Sequence, residues 1–279
     1  MASSKWLSDV EFNNCPAFPA GQSIRALIVG PSACGKTYLA FKWIISGCLD
    51  YARLYIFSTS IKQSIFQALI YGFNKGLSRK ELMALFGNIA SVSSIPAEKV
   101  IDNLVKEKLF MKITTPKKDR VTCIASSNPK DLRLPEDYDK NSKNLFIFDD
   151  CMTEQKVVGI IDKFFTLGRH QSFQMIFLSQ NYFKTGKSCV RSNANILALF
   201  RLTDCDKRNI YTSIASTDFK KIQEFYDLCD SIWAEKYHYL FIAKDEEKKH
   251  LKYRNSLDGF TPINGKHCTD SEEEEEGSK

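Results

Sequence analysis

The stretch GPSACGKTYL, Gly30 to Leu39, follows directly on the apolar run IRALIV and constrains the fold more than any other part of this chain. It matches the pattern G-x-x-x-x-G-K-[ST] at every required position. Glycines are needed there because the loop wraps its backbone N–H groups around phosphate oxygens, which side chains would obstruct. Such a loop joins a strand to a helix, so we predict a strand at Ile24–Val29 and a helix at about Lys36–Ser46, ended by Gly47.

The same loop predicts chemistry at particular side chains. Lys36 is placed to reach the β and γ phosphates of a nucleotide, and the Thr37 hydroxyl is placed to ligate Mg²⁺. The helix that follows presents its positive end to the same anion. Cys34 puts a thiol beside the phosphates, so we predict that oxidants inhibit the protein through this residue. The candidate nucleotide-binding residues form one continuous segment: Gly30, Pro31, Ser32, Ala33, Cys34, Gly35, Lys36, Thr37 and Tyr38.

Continuous apolar runs alternate with helical periodicity through the rest of the chain. Such runs are typical of strands in a mainly parallel sheet that helices cover on both faces, so we predict an α/β fold. A helix with apolar residues from Val157 to Phe165 ends near Gly168, and two amphipathic helices cover about Asp206–Ile214 and Asp218–Ser231. The further predicted strands are LYIFS (Leu54–Ser58), LFIFDD (Leu145–Asp150), QMIFLSQ (Gln174–Gln180), ILALF (Ile196–Phe200) and a terminal hairpin of YHYLFIAK with LKYRNS.

Composition divides the chain into three predicted parts. Residues 1–22 hold two prolines and two asparagines and are predicted to form an irregular lead-in. Residues 23–265 are predicted to form one P-loop domain with a mostly helical insertion at about 60–140. In that insertion Ser78 and Glu81 stand in capping-box register, and its last part is a polar surface loop. Residues 266–279 contain a glutamate run and are predicted to be a disordered acidic tail.

Charge and cysteine content narrow the classes of partner. The net charge is +6, but the last ten residues hold six acids and one lysine, so the first 269 carry +11. A basic body suits a polyanion such as DNA, and ordinary solubility charge explains the value equally well. Nine cysteines without a C-x-x-C favour free thiols in a reducing compartment over disulfides or zinc. Because no apolar run is long enough to span a bilayer and no signal peptide is evident, we expect an intracellular protein with no membrane partner.

Two aspartates, Asp149 and Asp150, end the apolar run LFIFDD. A magnesium nucleotide needs an acidic residue at the end of a neighbouring strand, so we predict that Asp149 holds Mg²⁺ through water. Asp150 is predicted to orient or deprotonate the attacking water, which points to a hydrolase. An Asp pair after a strand is also a common turn or helix cap, and the sequence leaves that alternative open.

Other classes of nucleotide-loop protein fit less well. A GTPase needs an N-K-x-D segment, and the nearest candidate, Asn74 to Leu77, has no aspartate. More than a hundred residues separate Lys36 from Asp149, which is long for a small-molecule kinase. The additional-strand, RecA-like ATPase group remains, with ATP as the nucleotide. In that group a polar residue at the tip of the strand between the two motif strands contacts the γ-phosphate. Gln180 fits that place, and fits equally well as a surface residue that starts a loop.

The order of the motifs is similar to that of a known family. GPSACGKT, LFIFDD, LGRHQSFQMIFLSQNYF and RSNANILALF follow one another as in genome-packaging ATPases of the FtsK and HerA superfamily, found in poxvirus-like viruses, virophages and polinton or adintovirus elements. YHYLFIAKDEEKKHLKYRNSLDGF resembles the family's closing hairpin, so the resemblance covers about residues 24–260. It implies a ring of identical subunits, a pentamer or hexamer, that hydrolyses ATP and moves double-stranded DNA into a capsid. The implied partners are capsid or portal-vertex proteins, and the implied location is the nucleus or cytoplasmic viral factory of an infected host, or the virion.

The resemblance also implies that an arginine from the neighbouring subunit completes the site, since charge developing on the γ-phosphoryl group needs a cation. Arg169 and Arg191 are the candidates, and the sequence leaves the choice between them open. An arginine just after a helix also occurs as a surface residue that compensates the helix dipole. Gln180 would then sense loss of the γ-phosphate and move the loop that begins at Asn181.

The loop NYFKTGKSCVR at 181–191 is a candidate DNA contact. Its lysines, its arginine and its two aromatic residues suit contacts with a phosphate backbone that are independent of sequence. A solvated loop with two packing aromatics fits the same residues.

Two other functions remain open: a cellular or transposon-borne DNA translocase or helicase of the same superfamily, and a nucleotide-gated capsid assembly protein with negligible turnover.

Overall fold

Nine strands form a single sheet in the described part of the chain. The computed structural model describes residues 18, 23–89, 102, 106, 120–151, 155–171, 173–182, 189–247, 252–256 and 259–260. Apart from Phe18, the predicted lead-in lies outside these residues, as do loop residues 183–188 and the acidic tail. The strands are β1 (Arg25–Val29), β2 (Arg53–Ser58), β3 (Thr122–Ser126), β4 (Asn144–Asp149), β5 (Gln174–Ser179), β6 (Ile196–Leu199), β7 (Leu240–Ala243), β8 (Tyr253–Asn255) and β9 (Gly259–Phe260).

The strand order in the sheet is β3-β2-β4-β5-β1-β6-β7-β8-β9. The first six strands of this order pair in parallel, and β7, β8 and β9 each run antiparallel to the preceding strand. Strand β5 lies between β1 and β4, so an additional strand separates the strand before the phosphate loop from the strand that ends in Asp149. The predicted α/β class, the mainly parallel sheet and the hairpin of β7 and β8 are confirmed.

Helices pack on both faces of this sheet, as predicted. Their bounds are α1 (Lys36–Ile45), α2 (Ser64–Asn74), α3 (Arg79–Ile89), α4 (Gln155–Leu167), α5 (Cys189–Asn193), α6 (Asp204–Ile210) and α7 (Ile222–Trp233). Residues of α1, α2 and α3 belong to one buried apolar cluster, and residues of α4 to α7 belong to the other. Each cluster also takes in side chains from one face of the sheet. The sheet therefore holds the core in two layers, one on each side.

Strand β4 illustrates why the central strands are apolar throughout. All six of its residues are buried. Successive side chains of a strand point to opposite faces, so a strand covered on both sides must be apolar at almost every position. Leu145 and Ile147 accordingly lie in the first cluster, and Phe146 and Phe148 lie in the second. The two phenylalanines stack on the same face of the sheet, with ring centroids 6.3 Å apart.

The segment predicted to be a helical insertion at 60–140 also contains a strand. Helices α2 and α3 lie there, and the predicted capping box forms, because the Ser78 backbone N–H donates to Glu81 Oε2 at 2.7 Å and the Glu81 N–H donates to Ser78 Oγ at 3.3 Å. The prediction missed β3, which pairs with β2 at the edge of the sheet. Thr122 and Ile124 are exposed on β3, so this strand lacks the continuous apolar run that marked the others.

The helices near the carboxyl end differ from their predicted bounds. Helix α6 continues as a π-helix at Tyr211–Ala215, and α7 begins at Ile222 rather than at Asp218. The Asp218 carboxylate accepts hydrogen bonds from the Lys252 ammonium and the Tyr253 hydroxyl, both at 2.7 Å. It therefore ties the chain before α7 to the segment at β8 and is not the first residue of the helix. Within the described residues, no helix is long and apolar enough to cross a membrane.

Candidate active site

The loop between β1 and α1 has the backbone that a phosphate cradle requires. Ala33 has a φ of 61° and Gly35 a φ of 106°, so two left-handed residues turn the chain into the helix. Gly35 is the N-cap of α1, and no side chain caps this end of the helix. The first N–H groups of α1 therefore lack a side-chain acceptor, which is the arrangement that binds anions at helix N-termini.

Gly30 is required by packing rather than by backbone conformation. A Cβ at this position would lie 2.6 Å from Phe200 Cβ and 2.7 Å from Cys34 Sγ. Phe200 directly follows β6, and its backbone N–H donates to the Val29 carbonyl oxygen at 2.8 Å. The loop is thus held so close to the end of β6 that only a glycine fits between them.

Lys36 is anchored over the loop by two hydrogen bonds. Its Nζ donates to the carbonyl oxygens of Gly30, at 2.7 Å, and Pro31, at 2.8 Å. Burial lowers the pKa of this ammonium, and the negative charges of the Asp149 and Asp150 carboxylates oppose the shift. Carboxylates near the ammonium therefore help to keep it protonated where a phosphate would meet it.

Asp149 ends β4 as a buried carboxylate with one side-chain donor. Ser58, the last residue of β2, donates its hydroxyl hydrogen to Asp149 Oδ2 at 2.7 Å, and the Ser60 backbone N–H donates to the Ser58 hydroxyl oxygen at 3.0 Å. Burial raises the pKa of Asp149, and the Ser58 bond opposes this shift. The sequence analysis missed Ser58. Its position at the end of the strand beside β4 is the signal that identifies it.

Asp150 leaves the strand in a left-handed conformation. Its φ is 53°, and its side chain is exposed. The following residue, Cys151, is buried, and its thiol bonds to the carbonyl oxygens of Phe57, at 2.9 Å, and Asp149, at 3.3 Å. These contacts fix the chain on both sides of Asp150. The Asp149 carboxylate is engaged with Ser58, and residues 152–154, which precede the next helix, lie outside the described residues, so the helix-cap alternative stays open.

The predicted residues from three parts of the chain meet in one cleft. Its volume is about 150 Å³, and it opens at the edge where β1, β4 and β5 end. The structure brings Lys36 and Thr37 together with Asp149 and Asp150, and Gln180 completes the wall. The full lining is Ser32, Ala33, Lys36, Thr37, Ser60, Gln63, Asp149, Asp150, Leu178, Ser179 and Gln180. Ser60, Gln63, Leu178 and Ser179 were not predicted.

Gln180 stands where the additional strand delivers it. It directly follows β5, which lies between the loop strand and the Asp149 strand. The backbone at this point is tied to the loop, because the Gly30 N–H donates to the Ser179 carbonyl oxygen at 3.2 Å. The exposed Gln180 side chain lines the cleft. The Gln180 amide therefore lines the same cleft as Lys36 and Thr37 of the phosphate loop.

Arg191 is not among the residues that line the cleft, and the side chain of Arg169 lies outside the part of the chain that the structure describes. Arg169 lies in the 3₁₀ turn Gly168–Gln171, which precedes β5 at the opposite edge of the sheet. Arg191 lies in α5 and is half-buried, with its guanidinium carbon 5.4 Å from the centre of the Tyr182 ring. The Lys244 ammonium donates to the Arg191 carbonyl oxygen at 3.2 Å. A role for either arginine in a neighbouring subunit stays a prediction.

The donor atoms in the cleft fit a magnesium ion. Thr37 offers a hydroxyl, and Asp149 offers a carboxylate held in place by Ser58. Mg²⁺ prefers such oxygen ligands and is usually held by one or two protein groups, with phosphate and water completing its shell. In the part of the chain that the structure describes, no group of three or more histidine, cysteine or acidic residues could hold a metal. Thr37 and Asp149 are the residues that could hold such an ion beside a bound phosphate.

Fold and site together define a class: an α/β protein of the P-loop NTPase fold with an additional strand in its sheet. No protein-family model matches the chain, and no curated protein is similar to it in sequence.

Among solved structures, the chain resembles the genome packaging NTPase B204 from Sulfolobus turreted icosahedral virus 2 in complex with AMPPCP. Sequence identity is 14%, coverage is 81% of this chain and 95% of that one, and the TM-score is 0.45. It also resembles VirB4 of Thermoanaerobacter pseudethanolicus, with 10% identity, coverage of 80% and 87%, and a TM-score of 0.42. The class stated above rests on the strand order and the loop of this chain.

Proposed function

We propose that the protein is an ATP-hydrolysing motor that moves double-stranded DNA into a viral capsid. The observation that carries the hydrolytic part is the shared cleft, in which the loop contributes Lys36 and Thr37, β4 contributes Asp149 and Asp150, and β5 contributes Gln180. A protein that only binds nucleotide would need the loop and Asp149, but not Asp150 or Gln180. The paired carboxylates beside it favour a reaction with water.

Each side chain has a role that its position supports. The N–H groups of the loop and α1 bind the phosphates, and Lys36 exchanges its carbonyl partners for phosphate oxygens. Asp150, exposed at the mouth of the cleft, accepts a proton from the attacking water. Gln180 orients that water. Thr37 and Asp149 would hold Mg²⁺, which when bound supplies positive charge against the phosphates.

The motor and its DNA substrate are supported by sequence. The motif order resembles that of genome-packaging ATPases, and the first 269 residues carry a net charge of +11, which suits a polyanion. Of the candidate DNA contact at 181–191, residues 183–188 lie outside the described residues, Tyr182 is buried, and residues 189–191 belong to α5. We propose that the ring, the capsid or portal-vertex partner and a location in an infected cell accompany this function.

The decisive experiment is steady-state ATPase activity across protein concentrations, with and without duplex DNA. We expect DNA to stimulate hydrolysis, and activity per subunit to rise with concentration as a ring assembles. Lys36→Ala should abolish nucleotide binding, whereas Asp150→Asn should bind nucleotide without hydrolysing it. Lys130→Ala and Asp245→Asn, both at exposed positions outside the cleft, are the matched controls. Unchanged hydrolysis in Asp150→Asn would refute the catalytic assignment.

The same variants separate the motor from a nucleotide-gated assembly protein. A motor loses packaging with either Lys36→Ala or Asp150→Asn, whereas a gated scaffold tolerates the second because nucleotide binding survives. Mixing Lys36→Ala subunits with Arg169→Ala or with Arg191→Ala subunits tests whether sites are shared. Activity recovered in one mixture identifies the arginine that acts across the interface, and recovery in neither excludes both.

A further inference from the structure

The cleft is too small to enclose a whole nucleotide. Its volume is about 150 Å³, and its lining consists mainly of an ammonium, hydroxyls, two carboxylates and two amides. Pockets that enclose a whole small ligand begin at ~300 Å³. If the proposed function holds, the phosphates occupy this cleft and the base must lie on the adjoining surface. A base needs a flat apolar partner there.

Two exposed tyrosines border the phosphate loop. Tyr38 is 50% exposed in the first turn of α1, and Tyr237 is 58% exposed between α7 and β7. The described residues include four exposed large hydrophobic side chains, and the other two are Ile124 and Leu167. Single exposed aromatics are ordinary. Two of the four lie beside a single loop. An ammonium approaches one face of each ring, Lys42 at 5.1 Å from the centre of the Tyr38 ring and Lys236 at 4.8 Å from that of Tyr237, so a ligand bound by the loop would meet the other face.

Strand direction explains how Tyr237 reaches the loop. Because β7 runs antiparallel to β6, its first residue, Leu240, pairs with Leu199 at the last residue of β6. The chain that enters β7 therefore lies at the edge where the parallel strands end and the cleft opens. A Cβ at Gly35 would lie 3.5 Å from Tyr237 Cδ1, so the tyrosine ring lies at van der Waals distance from the loop backbone.

The backbone of Tyr237 is held in an unfavourable conformation. Its φ is 69°, in the left-handed region that bulky residues rarely adopt. Such strain persists where surrounding structure enforces it, and it is concentrated at ligand sites. The Lys236 ammonium lies 4.8 Å from the centre of the Tyr237 ring, a cation–π contact that holds this ring in place. The conformation costs stability and presents a ring to solvent beside the loop.

We propose that Tyr237, together with Tyr38, forms the surface on which the purine base of the nucleotide stacks. The inference rests on the proposed function and adds the residue that selects the base. Every base has a flat face, but a purine offers two fused rings and so a larger stacking area than a pyrimidine. The site therefore prefers adenine or guanine diphosphates over cytidine diphosphate.

Calorimetric titration of the full chain with Mg-ADP, Mg-CDP and Mg-pyrophosphate tests the proposal. Loss of base stacking is expected to weaken ADP binding in Tyr237→Asn by about 5- to 150-fold. Pyrophosphate affinity should stay within about twofold of the wild type, since the loop is intact. Tyr237→Phe should bind ADP like the wild type, because the ring is kept. Leu167→Ala is the matched control, an exposed apolar residue at the far end of α4.

Asparagine tolerates a left-handed backbone better than tyrosine, so Tyr237→Asn is expected to fold, and circular dichroism verifies this. Tyr38→Ala gives an independent measure and should also weaken ADP more than pyrophosphate. Wild-type ADP affinity in both variants overturns the inference. Equal loss of ADP and pyrophosphate in both also overturns it, because the rings would then only support the loop. A wild-type chain that binds neither ligand refutes the proposed function itself.

Discussion

The hydrogen bond between Ser58 and Asp149 predicts a large effect from a small change. In Ser58→Ala the buried carboxylate loses its side-chain donor, and the Ser60 backbone N–H loses its acceptor. Hydrogen bonds to charged groups contribute about 1.5–3 kcal/mol each. For a domain of this size that loss lowers Tm by about 3–12 °C. Thermal unfolding followed by circular dichroism, at neutral pH without nucleotide, measures it.

The dependence on pH follows from the pKa of Asp149. The Ser58 bond stabilises the ionised carboxylate, so its contribution is present above that pKa and is lost as pH falls through it. Because burial raises the pKa of Asp149 above the ordinary value, the loss begins at a higher pH than for an exposed aspartate. The difference in Tm between wild type and Ser58→Ala should therefore shrink as the pH is lowered.

Ser126→Ala is the matched control for this experiment. It also removes a hydroxyl that donates to an aspartate, Asp131 Oδ2 at 2.6 Å, but this pair is exposed. Its expected effect is within about 0.5 kcal/mol. If Ser58→Ala destabilises no more than Ser126→Ala, or if its effect is the same at every pH, the reasoning about a charge-assisted buried bond is refuted.

Three further predictions concern the loop and its neighbours. Gly30→Ala should destabilise the fold by about 1–3 kcal/mol and abolish nucleotide binding, because its Cβ would lie 2.6 Å from Phe200 Cβ. Chemical denaturation measures the loss of stability, and calorimetry measures the loss of binding. Asp150→Ala and Asp150→Asn should both lose hydrolysis. Only the alanine variant should lose folding stability, by ~1–2 kcal/mol, because asparagine tolerates a φ of 53° and alanine does not. Equal stabilities of the two variants would contradict this. The sequence predicts oxidative inhibition through Cys34, but burial raises the pKa of this thiol, which argues against that prediction. Cys34 should therefore react with iodoacetamide more slowly than the exposed Cys205, and fast inactivation through Cys34 would support the original prediction instead.

The sequence was sufficient to locate the parts of the site that belong to local patterns. The loop is a contiguous motif, and the strands that carry Asp149 and Gln180 are continuous apolar runs because both of their faces are buried. Their carboxyl ends meet at one edge of a parallel sheet, so the predicted residues were expected to converge. The additional strand was also predicted, because additional-strand ATPases were the class that remained after GTPases and small-molecule kinases had been found to fit less well.

Other parts depend on contacts that no local pattern records. Ser58 meets Asp149 across 91 positions of the chain, and its role follows only from the pairing of β2 with β4. Tyr237 reaches the loop because β7 returns antiparallel, which places its connection at the cleft edge. Strand β3 was missed because it is a short edge strand, TCIAS, with polar residues at both ends and exposed side chains at Thr122 and Ile124. Such features follow from tertiary packing rather than from propensity.

The left-handed bend at Asp150 has a bearing on which acid can occupy that position. Asparagine and aspartate enter this region of backbone space several times more often than other residues with a side chain. Glutamate, whose longer side chain would reach further into the cleft, lacks that tolerance. The main-chain conformation thus favours aspartate over glutamate as the proton acceptor at this position. In Asp150→Glu the backbone bend would be distorted, so the variant would not test the length of the side chain alone.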